Sequence, residues 1–197
     1  MKTLKLTGVL LRIKPAGEYD RTIFIFSREY GLSRIIAKGT RKIASRRGFH
    51  LDILNAVRME IEETASGHYL REITTLNAYA TLKRNPRHFA SACVIASFLL
   101  SFLPEGMPQR NLFLMTKKMF DRLNKVAQNE GRKDLGNLLL IYLLKSTREL
   151  GYLPHSIPKS HLRRTLAKVL SDLNPQFTLQ ARRMLGIFES FKSTRSS

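Results

Sequence analysis

Residues 34–47 read RIIAKGTRKIASRR, a stretch that begins as an apolar strand and continues as a basic loop. Gly39 can adopt a positive φ without steric cost, which suits the turn from strand into loop. No Asp or Glu occurs between Glu29 and Asp52, so the loop has no neutralising partner nearby in sequence. Such a loop either stays solvated, which is the default for one charge run, or binds an external polyanion. Its cations are Arg34, Lys38, Arg41, Lys42, Arg46 and Arg47.

The charge of the whole chain favours the polyanion. The 197 residues include 34 Lys+Arg against 15 Asp+Glu, a formal net charge of +19. Residues 1–80 carry 14 basic and 8 acidic side chains, and residues 81–197 carry 20 and 7, so both parts are basic. An excess of this size attracts nucleic acid or an anionic membrane. No run of about 18 uncharged apolar residues occurs, which argues against a membrane protein.

The N-terminus and the cysteine content indicate the compartment. MKTLKLTGVLLRIKPAGEYD resembles a signal peptide superficially, but Arg12 and Lys14 interrupt its apolar run, and we interpret it as the first strand. The single cysteine, Cys93, lies in the apolar segment ACVIASFLL and cannot form an internal disulfide. We therefore expect a buried thiol and a reducing, cytoplasmic location.

The periodicity of apolar residues predicts a mixed α+β protein with two domains. Residues 1–80 alternate as short strands, and five strands in this length favour a small closed barrel of the OB-fold type, which commonly binds nucleic acid. From about Ala78 the period becomes helical, so residues 81–197 are predicted to form an all-α helical domain. The predicted strands are Leu4–Ile13, Arg21–Ser27, Leu32–Lys38, Asp52–Glu62 and Tyr69–Leu76. The predicted helices are Arg87–Leu103, one from Pro108 to Val126, Asp134–Leu150, Lys159–Leu173 and Leu179–Phe191.

Catalytic and metal-binding patterns are absent from the sequence. It contains no GxxxxGK[ST], HExxH or CxxC pattern, and its five histidines are scattered. Glu60, Glu62 and Glu63 form the densest acidic group, but alternation places Glu60 and Glu62 on the solvated face of a strand. We therefore predict no enzyme activity, no cofactor and no metal.

The chain resembles the RecO family of bacterial recombination mediators. The resemblance lies mainly in GVLLRIKPAGEYDRTIFIFSREYGLSRIIAKGTRKIASR and recurs from Leu143 to Pro154 and, weakly, at Phe191–Ser193. Many members carry a four-cysteine zinc module after the second segment, whereas this chain has Pro154 and His155 there and no cysteine. It looks like a shortened form without the zinc. The matching motif residues are Glu18, Asp20, Ser27, Glu29, Gly31, Ala37, Lys38, Gly39, Arg41 and Ser45.

The resemblance implies an N-terminal OB-fold, a helical domain and a role in DNA repair. Members bind single- and double-stranded DNA, anneal complementary strands and act with RecR. They also bind the acidic C-terminal tail of single-stranded-DNA-binding protein and help to load the recombinase, which implies a location at the nucleoid. A different reading, an RNA-binding or ribosome-associated basic protein, also fits a barrel with this charge.

Two sets of residues are candidates for these contacts. The cations of the basic loop would contact phosphates, with Tyr30, Phe49 and Tyr69 as candidates for base stacking, whereas Phe24 and Phe26 are expected in the core. An acidic, phenylalanine-ended tail would need an apolar groove edged by Arg or Lys in the helical domain. The candidates there are Arg110, Lys117, Arg132, Lys133, Lys145 and Arg148.

Overall fold

The computed structural model describes residues 2–128, 135–154, 156, 158 and 161–185. Its strands are β1 (Lys2–Ala16), β2 (Asp20–Ser27), β3 (Gly31–Ala37), β4 (Ala56–Thr64) and β5 (Gly67–Asn77), with a 3-10 turn (Arg46–His50) before β4. Its helices are α1 (Ala80–Arg84), α2 (Pro86–Phe102), α3 (Arg110–Gln128), α4 (Leu135–Glu149), α5 (Leu162–Leu173) and α6 (Pro175–Leu185). The predicted α+β class is confirmed. Sequence reasoning missed α1 and the 3-10 turn.

The five strands close into a barrel in the order β1-β2-β3-β5-β4, as the OB-fold prediction requires. The long strand β1 pairs with β4 through its first half and with β2 through its second half. A register shift between Leu10 and Arg12 marks the bend that lets one strand serve both neighbours. The parallel pairing of β3 with β5 closes the barrel and is short, with only Ile35 opposite His68 and Ile36 opposite Tyr69.

Alternation along each strand fills the barrel interior. Val57, Met59 and Ile61 of β4 are buried, as their spacing predicts. Glu60 and Glu62 alternate with them on the outer face, where Lys5 Nζ lies 3.0 Å from Glu60 and Arg71 Nε lies 2.9 Å from Glu62. Leu51, which follows the basic loop, is 7% exposed and belongs to the same core cluster. The far end of the loop is therefore anchored by an apolar side chain inside the barrel.

The contacts divide the described residues into two units. The first unit contains the chain up to Ala80 together with Phe102–Lys118, and the second contains Thr81–Ser101 and the described residues from Met119 onward. Within the first unit, the Phe113 ring meets the Phe26 ring edge-on at 5.6 Å. The predicted division at residues 80 and 81 stays a prediction, and the contact grouping differs from it by placing 102–118 with the barrel.

The second unit is built around α2. Phe98 is completely buried, and its ring lies 5.9 Å from Phe177 and 6.5 Å from Tyr142 in edge-on geometry. These contacts join α2 to α6 and α4, which agrees with the prediction that the helix from Arg87 is a central one. Edge-on aromatic pairs stabilise such a core beyond their buried area by about 0.5–1.5 kcal/mol each.

Gly31 and Gly39 offer a matched test of how the barrel turns are built. Both have positive φ, 66° and 67°, but a Cβ at Gly31 would collide with the Met107 carbonyl oxygen, whereas nothing lies within 4 Å at Gly39. We expect Gly39→Ala to lower the free energy of unfolding by about 1–2 kcal/mol, which is the cost of placing an L-residue with a Cβ in the left-handed backbone conformation. Gly31→Ala should lower it clearly more, as measured by chemical denaturation. Equal losses would show that the approach of Met107 does not constrain Gly31.

His88 of α2 predicts a pH dependence of stability. The residue is 7% exposed, and its ring nitrogens have no hydrogen-bond partner among the described residues. Burial lowers the pKa of His88, so the unfolded chain takes up this proton at a higher pH than the folded chain. The stability that depends on a neutral His88 is therefore fully present above the ordinary histidine pKa of about 6.5. It is lost as the pH falls below that value.

Denaturation of wild type and His88→Leu at pH 7.5 and 5.5 checks this expectation. The variant should lose less of its free energy of unfolding between the two pH values than the wild type does. The same substitution at His161, which is exposed, is the control and should leave the loss unchanged. If His88→Leu keeps the full pH dependence, the buried ring is not its source.

Candidate nucleic-acid interface

Arg47 ties the basic loop to the barrel wall. Its Nη1 donates to the Leu70 carbonyl of β5 at 2.9 Å, and its Nη2 donates to the Lys38 carbonyl at 3.0 Å. Next to it, the backbone of Gly48 approaches Thr40 so closely that an added Cβ would lie 2.7 Å from the Thr40 carbonyl oxygen. The loop is thus folded against the barrel, and its cations stand at defined positions.

The structure places the other predicted loop cations on the surface. Arg34, Lys38, Arg41, Lys42 and Arg46 are all exposed, whereas Arg47 is half-buried. Four of these cations contact carbonyl oxygens or aromatic rings. Arg41 Nη1 donates to the Gly17 carbonyl at 3.0 Å. The ammonium groups of Lys38 and Lys42 lie 4.6 Å and 5.3 Å from the ring centroids of Tyr69 and Tyr19. Such contacts hold a side chain in place without cancelling its charge.

A groove of about 490 Å³ opens between the loop and β5. Lys38 and Arg47 supply its unpaired positive charge, and Tyr69 supplies an aromatic wall. Glu62 also lines the groove, where it is paired with Arg71 at 2.9 Å. The Tyr69 hydroxyl lies 3.0 Å from Ser66 Oγ, which fixes the orientation of the ring. The groove therefore combines cations with an aromatic side chain, the usual ingredients of a nucleic-acid site.

Sequence reasoning missed a row of side chains on the outer face of the barrel. Arg12 of β1, Phe24 of β2 and Arg34 of β3 lie opposite one another in register. Lys14 Nζ lies 5.9 Å from the centroid of the Phe24 ring. Side chains opposite one another on neighbouring strands have Cβ atoms about 4.5–5.5 Å apart. The prediction that Phe24 is a core residue is wrong: the ring is half-buried on the outer face, while Phe26 is buried.

The outer row and the basic loop meet on β3. Arg34 and Lys38 are four residues apart, so they lie on the same face of the chain about 13 Å from each other. The structure thus brings the loop cations together with Arg12 and Lys14 of β1. Only the strand register shows that they adjoin Arg34. We call Arg12, Lys14, Arg34, Lys38, Arg41, Lys42 and Arg46 the basic track.

The acidic residues of the N-terminal motif shape the turns beside the basic track. Asp20 Oδ1 accepts a hydrogen bond from the Gly39 N–H at 2.7 Å, and Glu29 Oε2 accepts one from the Thr7 N–H at 2.8 Å. Ser27 Oγ donates to the Gly31 carbonyl and accepts from the Tyr30 N–H, both at 3.1 Å. These carboxylates serve backbone N–H groups, so they do not neutralise the loop cations directly.

The candidate residues for binding an acidic tail are distributed over both units. Arg110 and Lys117 are exposed on α3, two turns apart, and belong to the first unit. Lys145 and Arg148 lie one turn apart on α4 in the second unit, with Lys145 exposed and Arg148 half-buried. Arg132 and Lys133 lie outside the described residues. A common groove for these side chains stays a prediction.

The described residues contain neither a metal-binding cluster nor a helix that could span a membrane. Within residues 2–128, 135–154 and 161–185, no group of three His, Cys, Asp or Glu side chains is arranged to hold a metal ion. None of the described helices combines the length and apolar character needed to cross a bilayer. Cys93 is half-buried, and burial raises the pKa of its thiol, which therefore stays protonated at neutral pH.

Comparison with known proteins identifies the family. Residues 1–79 match the model "Recombination protein O N terminal", and residues 84–168 match "Recombination protein O C terminal". A DNA repair protein RecO from Syntrophobacter fumaroxidans is 27% identical over 154 residues, which cover 78% of this chain and 59% of the relative. One from a Synechococcus species is 31% identical over 137 residues, or 65% of this chain and 46% of the relative. The chain spans about half the length of these curated relatives, and it belongs to the RecO family of DNA repair proteins.

Proposed function

We propose that this chain binds single- and double-stranded DNA along the basic track and anneals complementary strands. The observation that carries the proposal is the loop from Lys38 to Arg46, which Arg47 ties to β5 and in which carbonyl and ring contacts hold Lys38, Arg41 and Lys42. Arg47 itself is a proposed DNA contact through the N–H donors that its hydrogen bonds to the carbonyls of Lys38, Leu70 and Arg71 leave over, because a guanidinium has five. Family membership supports DNA as the polyanion.

Binding of this kind depends on phosphates. Each phosphate that a Lys or Arg neutralises releases condensed counterions, so affinity falls with salt concentration. Phosphate contacts fix the position of a strand and carry no base identity, so we expect weak dependence on sequence. Annealing follows from the same physics, because a surface that screens two phosphate backbones lowers their mutual repulsion. This step requires no nucleotide hydrolysis and no metal.

The proposed partners follow from the family. We infer that the chain acts with RecR and with the acidic tail of single-stranded-DNA-binding protein, and that it promotes recombinase loading in the cytoplasm at the nucleoid. Lysine and arginine side chains on α3 and α4 supply the charge that an acidic tail needs. We infer that the chain is a binding protein and not an enzyme. It would act through electrostatic contacts with phosphates and through stacking on bases.

The alternative is an RNA-binding or ribosome-associated protein. The basic track would attract RNA phosphates as well as DNA phosphates, because electrostatic contacts do not distinguish the two backbones. Family membership favours DNA, and competition between DNA and RNA strands of equal sequence and length decides between them.

A triple variant of the basic track tests the DNA-binding proposal. Lys38→Ala, Lys42→Ala and Arg46→Ala together should weaken binding to single-stranded DNA and lower the log–log salt slope by about 2, since each contact contributes roughly 0.7. Arg47 is left intact because its loss would release the loop from β5. Binding measured by fluorescence anisotropy between about 50 and 200 mM salt gives the slope.

The control removes the same charge elsewhere. Lys118, Arg122 and Lys125 are exposed on α3, and their joint replacement by Ala should leave the slope near that of the wild type. If both triple variants lower the slope equally, the effect is one of net charge and the basic track is not the binding site.

The mediator role is tested by annealing of complementary oligonucleotides coated with the cognate single-stranded-DNA-binding protein. We expect this chain to speed annealing when the coating protein carries its acidic tail and to speed it much less when the tail is deleted. Rates are followed by energy transfer between end-labelled strands, with uncoated strands as the control. Equal rates with and without the tail would remove the partner-tail proposal and leave a general DNA-annealing protein.

A further inference from the structure

We propose that Phe49 stacks on an unpaired base of single-stranded DNA and gives this chain its preference for single strands over duplex. Phe49 belongs to the 3-10 turn Arg46–His50 in the basic loop, and its side chain is 83% exposed. The inference rests on the proposed DNA binding and assigns a specific contact to it.

The backbone on both sides of Phe49 is held in place. Arg47 binds the carbonyls of Leu70 and Lys38, as described above. The Gly48 carbonyl lies 3.5 Å from Arg21 Nη1, and the Gly48 N–H donates to the Ser45 carbonyl at 3.2 Å. The turn therefore presents the Phe49 ring from a backbone that is already ordered.

The residue after Phe49 completes this support. His50 Nδ1 lies 3.0 Å from Thr75 Oγ1 of β5, and the His50 carbonyl accepts a hydrogen bond from Asn55 Nδ2 at 3.1 Å. A preformed contact loses little conformational entropy when it binds, which increases the affinity gained from each contact. An exposed ring on a fixed turn is therefore suited to stacking.

The positive charge near Phe49 in the loop favours a nucleic acid as the ligand that contacts its ring. Arg46, in the same turn, and Arg41 and Lys42, earlier in the loop, are exposed. No acidic residue occurs in the chain between Glu29 and Asp52. A positive surface with a strongly exposed aromatic ring matches a strand that presents phosphates and base faces together. The Phe ring has no hydrogen-bonding atom, so it accepts any base.

The other aromatic side chains near the basic track are less exposed than Phe49. Tyr19 is 46% exposed and has the Lys42 ammonium 5.3 Å from its ring centroid. Tyr30 packs against the barrel core, and Tyr69 has the Lys38 ammonium 4.6 Å from its ring centroid. Phe24 is half-buried beside Lys14. In duplex DNA both faces of each internal base are already stacked on neighbouring bases. Phe49 therefore adds affinity for single strands and none for duplex, while the cations serve both.

A tryptophan reporter tests stacking directly. The chain contains no Trp, so Phe49→Trp introduces one emitting indole. Three probes are used at the same salt concentration: oligothymidine, an abasic backbone of equal length, and a duplex of equal length. Oligothymidine should quench the emission, whereas the abasic backbone and the duplex should leave it nearly unchanged at saturation. Equal quenching by the abasic backbone would overturn the proposal.

Binding affinities of the wild type and a variant without the ring provide the second test of stacking. Phe49→Leu keeps an apolar group and removes the ring, so we expect affinity for oligothymidine to fall about 5- to 100-fold. Its salt slope and its affinity for the abasic backbone should stay those of the wild type. Ile43→Ala, at an exposed apolar position of the same loop, is the control and should change neither affinity.

The two proposals fail differently in these experiments. If Phe49→Leu binds oligothymidine as tightly as the wild type, stacking by Phe49 is wrong and the electrostatic proposal stands. If the wild type binds neither the oligothymidine nor the abasic backbone with a salt-dependent affinity, the DNA-binding function itself is wrong.

Discussion

The structure of the first unit depends on how the barrel closes between β3 and β5. This parallel contact has only two residue pairs, the last of which joins Ile36 to Tyr69. Just beyond it, Arg47 binds the carbonyl of Lys38, the residue after β3, and the carbonyl of Leu70, the residue after Tyr69 in β5. One guanidinium thus continues the junction where the strands stop pairing. Its planar fork of donors suits two carbonyl oxygens on separate segments, which a lysine ammonium would match less well.

The same interaction explains how a basic loop can be ordered and remain charged. A carboxylate partner would hold a cation and cancel its charge. In the basic loop Arg41 and Arg47 donate to carbonyl oxygens, and the ammonium groups of Lys38 and Lys42 lie over ring faces. These partners orient the side chains and leave the positive charge available to phosphates. Arg71 shows the contrast, because its pairing with Glu62 removes most of its contribution to the field.

The sequence predicted the elements well because each has a strong local signal. Alternation in β4 and the apolar residues of α2 place those elements within a few residues of their observed bounds. The remaining features depend on contacts that are distant in sequence. Phe24 and Phe26 share one face of β2, yet Phe26 is buried because Phe113 covers it. No local pattern shows that the segment 102–118 covers one end of the outer face of β2 and leaves Phe24 partly open.

The site was predictable in composition and less so in arrangement. Residues 34–47 identified the cations, but the anchoring of Arg47 involves Leu70, which is 23 residues away. The row from Arg12 through Phe24 to Arg34 depends on strand register, which alternation alone does not define. The exposure of Phe49 depends on the 3-10 turn, whose five residues lack a periodic signal. Short turns and the register of strand pairing are therefore the features that the sequence does not predict.

Separate electrostatic and stacking contacts have a consequence for annealing. Phosphates are equally available before and after two strands pair, so the proposed phosphate contacts of the basic track persist in the product. Base faces are available only before pairing, so the proposed contact with Phe49 is lost when the duplex forms. A protein built in this way gathers single strands more strongly than it holds their duplex, and this difference favours release of the annealed product. In the proposed function the cations bring the strands together, base pairing drives annealing, and the loss of the stacking contact favours release of the duplex.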